Sequence, residues 1–198
     1  MQLRHSKKLA VAAICLAALI AGRAALAHAP AEPVSSGTTA PLYSRAFALG
    51  NLQGFWPTAC PVAVTASAEW ARHSLSVSML ARNGFVNGVR EPLQSRDSTM
   101  RATSSVAQYR TAQGARLAAD EELARVSGPA EPFAVPTIPG AYGYAQARGH
   151  SERLAISFSQ GRFEYRLTVS GVRSARVAAM RSRLVAAALH VYRTGGER

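Results

Sequence analysis

Cysteine, lysine and aspartate are scarce in this chain of 198 residues, and each scarcity narrows what it can do. Cys15 and Cys60 are its two cysteines, and neither belongs to a C-x-x-C pair. No H-E-x-x-H and no acidic calcium loop occurs either, so no metal site is legible along the chain and no cofactor is implied. Asp97 and Asp120 are the only aspartates, and His73, His150 and His190 stand far from one another, which leaves few candidates for acid–base chemistry. Lysine stops at Lys8, so all later positive charge is arginine. Long apolar runs are missing apart from Leu9 to Gly22, which is too short to cross roughly 30 Å of hydrocarbon at about 1.5 Å per residue.

What is present at the start is a basic segment with Arg4, Lys7 and Lys8, that apolar run, and then Ala25-Leu26-Ala27. This is the pattern of a secretory signal peptide over residues 1–27, cleaved after Ala27. After cleavage no transmembrane span is expected, and the chain is placed outside the cytoplasm, secreted or associated with the cell envelope. Residues 28–41, HAPAEPVSSGTTAP, have almost nothing to bury and read as a flexible tether. A single domain is expected over 42–193, with a frayed tail at 194–198. The signal holds four of the chain's positive charges and no acid, so the processed chain keeps +8 of the formal +12. An Ala-rich, Arg-only composition is what GC-rich coding yields; the same excess would also attract anionic envelope polymer, lipid head groups or an acidic protein. Nucleic acid is disfavoured, because export removes the chain from most of it. Cys60 would be the last cysteine after cleavage, and beside Pro61, Val62 and Val64 it is expected as a buried, inert thiol.

The segment from Pro136 to Gly171 alternates as an antiparallel meander. A turn at Gln160-Gly161 would pair Phe158 with Phe163, Ile156 with Tyr165 and Leu154 with Leu167 on a buried face. Ser157, Ser159, Arg162, Glu164 and Arg166 then fall on a face that can stand in water. A three-residue loop Gly149-His150-Ser151 would bring Tyr142 and Tyr144 to the apolar side. Phe85 to Arg90 and Ala102 to Arg110 read as two further strands, separated by a polar loop containing Pro92, Ser95 and Asp97. Leu42 to Val64 suggests irregular structure. Thr65 to Arg82 carries a helical stripe of Ala66, Trp70, Val77 and Leu80 alongside a strand-like alternation from Ser74 to Met79, and both patterns stand. Thr111 is placed to cap a helix running to Val126, with Asp120, Glu121 and Glu122 on its outer side. A last helix, Ala175 to Arg193, presents Val177, Met180, Leu184, Ala188 and Val191 to the meander.

Catalytic signatures fail on inspection. Gly149-His150-Ser151-Glu152-Arg153 approaches the nucleophile elbow but ends in Arg and sits in a hairpin turn. The run Val135-Pro136-x-Ile138-Pro139-Gly140-Ala141-x-Gly143, with Phe158-x-x-Gly161-Arg162-x-Glu164-Tyr165 and Ala186-Ala187-x-x-x-Val191-Tyr192-Arg193, resembles the C-terminal half of exported actinobacterial proteins of unknown function. More distantly it resembles PsbP-like or LpqN-like envelope domains, which implies an antiparallel sheet flanked by helices and transfers no active site. The expected fold is α+β, an antiparallel sheet of about five strands with helices mainly on one face. The expected function is a non-catalytic binding or interaction module at the cell envelope; the alternative is a hydrolase acting on an envelope component. No catalytic residue is assigned. Arg176, Arg183 and His190, recurring every seven residues away from any neighbouring acid, are the candidate flank for an anionic partner.

Overall fold

The computed structural model describes residue 42 and residues 52–71, 76–124, 126 and 128–195. The expected signal and tether, His73 and Cys15 lie outside them. Instead of about five strands the described residues hold eight, all antiparallel: β1 (Phe55–Pro57), β2 (Val62–Val64), β3 (Phe85–Ser95), β4 (Arg101–Tyr109), β5 (Ala130–Phe133), β6 (Tyr142–Arg148), β7 (Ser151–Gln160) and β8 (Phe163–Val172). They are ordered β1-β3-β4-β8-β7-β6-β5, with β2 also paired to β3. The three extra strands are β1, β2 and β5, each of three or four residues, too short to show an alternation. β3 also runs on through Pro92. That residue falls between the stretches paired to β1 and β2, and its carbonyl accepts from the Thr58 amide and hydroxyl.

Helices cover both faces, not mainly one. They are α1 (Ser67–Ala71), α2 (Val77–Arg82), α3 (Ala112–Ala124) and α4 (Val177–Gly195), the last preceded by a 3-10 turn, Ser174–Arg176. α4 packs on β7 and β8 through Val177, Met180, Leu184, Ala188 and Val191, as its periodicity predicts, and adds Ala187. It includes Thr194 and Gly195, which the sequence reading left to the tail. The stretch 65–82 holds two short helices; Trp70 and Leu80 are buried while Val77 is exposed, and Gly84 (φ +75°) follows the α2 C-cap Asn83.

α3 lies on β4, β8 and β7 from the other side, so the meander face expected in water is roofed over. The Thr111 hydroxyl accepts from the Gly114 amide, as predicted, but the buried positions are Gly114, Ala115, Ala118, Ala119 and Glu122. Leu123, expected inside, is exposed. Small residues bring α3 close: a Cβ on Gly114 would stand 2.0 Å from the Asn83 carbonyl oxygen.

Registers differ from expectation in two places. The β7–β8 turn is Gly161-Arg162, so Phe158 faces Tyr165 and Ile156 faces Leu167, a slip of two that keeps every side chain on its expected face. The β6–β7 turn is Gly149-His150, pairing Arg148 with Ser151, a slip of one. Tyr142 and Tyr144 therefore point to the α3 side, opposite Ser157 and Ala155. There α3 covers them: the Tyr142 hydroxyl donates to the Ala119 carbonyl at 2.7 Å. Two apolar cores result. The larger holds Val89, Leu93, Leu154, Ile156, Phe158, Tyr165 and α4; the smaller holds Trp70, Leu80, Ala107, Tyr109 and α3. Cys60 is half-buried, not fully buried as expected.

Candidate functional site

Beneath α3 the meander's polar residues assemble into a closed layer. Adjacent strands place Ser105, Arg166 and Ser157 in one row and Ala107, Glu164 and Ser159 in the next. The Tyr109 hydroxyl donates to Glu164 Oε2 at 2.8 Å, and Arg166 meets Glu122 of α3 at 2.5 Å. Burial raises the Glu164 carboxyl to about 7, against the lowering effect of the tyrosine hydrogen bond. Burial and the neighbouring Glu164 keep Tyr109 protonated. Arg90 donates to the Trp70 carbonyl at 2.7 Å and lies over the indole at 4.2 Å; burial, then repulsion from Arg166, lowers it to about 10. Arg166–Glu122 and Tyr142–Ala119 cross the helix–sheet seam and fasten α3 to the sheet, while Tyr109–Glu164 ties β4 to β8; Glu122 Oε2, Arg166 Nε and the Ser157 hydroxyl have no hydrogen-bond partner there among the described residues. Sequence reasoning placed Glu122 and Glu164 in water because polar alternation looks the same whether a face is wet or internally paired.

A second buried acid was also missed. Glu91 stands between Val89 and Leu93 on the α4 side, directly across from Ser104, with none of its surface exposed. Neither carboxyl oxygen has a hydrogen-bond partner, nor does the Ser104 hydroxyl. Burial alone pushes this carboxyl up to about 7. The signal was available in Val89-x-Glu91-x-Leu93, where the acid shares the parity of core residues.

The three flank candidates are not brought together as one helical stripe. Arg176 belongs to the 3-10 turn and lies 3.8 Å from Asp97, so the expectation that no acid stands near fails there. Hydrogen bonds from Ser95 and Thr99, chiefly, hold the Asp97 carboxyl down to about 2. Arg183 and His190 are exposed on α4. Arg181, on the same helix, pairs with Glu131 of β5 at 2.9 Å and covers Phe133. His150 is exposed in the β6–β7 turn, where the Ser151 hydroxyl donates to the Arg148 carbonyl.

An open antiparallel sheet with helices on both faces is the class this geometry defines. The sequence matches no family model and no curated protein. Among solved structures, the extracellular domain of PknH from Mycobacterium tuberculosis is similar with a TM-score of 0.52 at 10% identity, over 85% of this chain and 100% of that one. At that identity the likeness is one of fold. Among the described residues no helix is long and apolar enough to cross a membrane.

Proposed function

We propose that this chain is an exported, non-catalytic binding module of the cell envelope that meets an anionic partner (wall polymer, lipid head group or acidic protein) along the exposed flank of α4. The observation that carries the reading is the sheet architecture shared with an extracellular domain over most of the chain. The arginine excess supports the sign of the partner. Asp97 partly neutralises Arg176, so Arg183 carries more of the attraction. The test is co-sedimentation of the protein with vesicles of phosphatidylglycerol and phosphatidylcholine, and with purified wall polymer. Binding should weaken as salt shortens the screening length toward about 8 Å. Arg183→Ser should weaken it more than Arg176→Ser, and neither should lower the melting temperature. No binding at low salt, or binding indifferent to both changes, rejects the flank. Release of soluble fragments from the wall polymer would instead favour the hydrolase.

A further inference from the structure

The α3 side of the sheet is not covered along its whole length. α3 roofs the rows of Arg166 and Glu164, and Trp70 of α1 lies over Gly88, where a Cβ would come within 2.4 Å of its ring. Toward the β3–β4 turn two rows stay open. One runs Trp56, Gln94, Arg101, Ser170 across β1, β3, β4 and β8, and the next includes Thr103 and Thr168. Trp56 is 56% exposed, Arg101 and Ser170 are exposed, and the others are half-buried. Four strands at ordinary spacing make this a flat strip about 14 Å across.

Its chemistry is specific. A single exposed indole is too little apolar surface to enter a membrane, but it offers one flat ring against which another ring can stack. Beside it stand an amide, three hydroxyls and a guanidinium, the groups that hydrogen-bond sugar hydroxyls and clamp a carboxylate. No acid lies in either open row. Asp97 turns toward Arg176, and Glu152 stands opposite Val172, whose side chain is in the α4-side core; on the strip's own side Glu69 of α1 acts on Arg90, in the row beyond Thr103.

We propose that this strip binds an acidic polysaccharide, with Trp56 stacked on a sugar ring and Arg101 paired with a uronate carboxylate. α4 packs on the opposite face of the sheet, although the Arg183 guanidinium reaches the Gly54 turn just ahead of β1, and the indole readout lets the strip and the α4 flank fail separately. The chain has two tryptophans, and Trp70 is buried, so a change in indole emission on titration reports Trp56. Oligogalacturonate added to the full chain should shift that emission saturably. Trp56→Ala should weaken binding at least about tenfold, read by calorimetry, and Trp56→Phe should recover part of the loss. Arg101→Ser should weaken binding and reduce its salt dependence, whereas Arg193→Ser, at the exposed far end of α4, should leave it unchanged. Polyglutamate, a carboxylated polymer without sugar rings, should bind less tightly and leave the indole emission unmoved. Equal affinity for polyglutamate, an unaffected Trp56→Ala variant, or no emission change with oligogalacturonate would each overturn the proposal; so would self-association through Trp56 detected by ultracentrifugation.

Discussion

Replacing Glu91 by glutamine should make the protein more stable at pH 8 and leave it nearly unchanged at pH 4. In the folded chain the carboxyl is buried and accepts no hydrogen bond, the Ser104 hydroxyl across from it included, and burial raises it to about 7; in the unfolded chain it ionises near 4.5. Between those values the unfolded state holds fewer protons, so stability falls as pH rises. The contribution is fully present below about 4.5 and lost once pH passes about 7. A gap of that width corresponds to about 3 kcal/mol. Glu164, also raised to about 7, adds a slope of the same sign, so the informative quantity is wild type minus Glu91→Gln. Urea melts at pH 4, 6 and 8 measure it, with the slope against urea checked for constancy. Glu91→Met, which removes the polar group altogether, should match or exceed the gain at pH 8. A difference between wild type and Glu91→Gln that is the same at pH 4 and pH 8 would refute the reasoning, because the acid would then be solvated or paired in the folded chain.

Other expectations are as direct. Tyr165 is fully buried and stacked on Phe158 at 5.0 Å, so Tyr165→Ser should cost about 3 kcal/mol in a urea melt. Its neighbour Glu164, which sequence alone would call a neutral surface site, should cost about 1–3 kcal/mol on change to Ser, since the Tyr109 hydroxyl loses its acceptor. Arg166→Met alone should destabilise by about 3–5 kcal/mol by stranding Glu122, and adding Glu122→Leu should recover most of it; a double mutant no better than the single would show that the pair is not the coupled unit. Gly114→Ala should destabilise by at least about 1–3 kcal/mol despite the better helix propensity of alanine, because the Asn83 carbonyl occupies the space a methyl needs; a raised melting temperature would contradict the close contact.

Elements with strong periodicity were legible. The buried stripe of α4, the Thr111 cap and the inward parity of Leu154, Ile156 and Phe158 all follow from patterns that one face imposes on one element. Strand count was not legible, because β1, β2 and β5 owe their pairing to longer neighbours and carry no pattern of their own. Nor was the covering of the second face. Glu164 and Arg166 alternate as exposed residues do, and only Tyr109 and Glu122, 55 and 44 positions away in sequence, make their burial tolerable. The Trp56 strip was invisible for the same reason: its six residues come from four strands, and only their register aligns them.

The two ends of the sheet bear on how the protein behaves when crowded. An eight-stranded open sheet has two margins, and each is a row of amides and carbonyls able to recruit a strand from another molecule. Here one margin is shared by β1, three residues long and closed by Pro57, and β2, also three residues long, and the other is β5, four residues long with Pro132 within it. A proline lacks the amide that a joining strand would bond, and three or four residues give an intruder too few contacts to hold its register. The long strands β3, β4, β8, β7 and β6 all lie inside these short margins. Concentrated protein should therefore stay dispersed and leave thioflavin fluorescence flat, while replacing Pro132 by valine should open a templating edge.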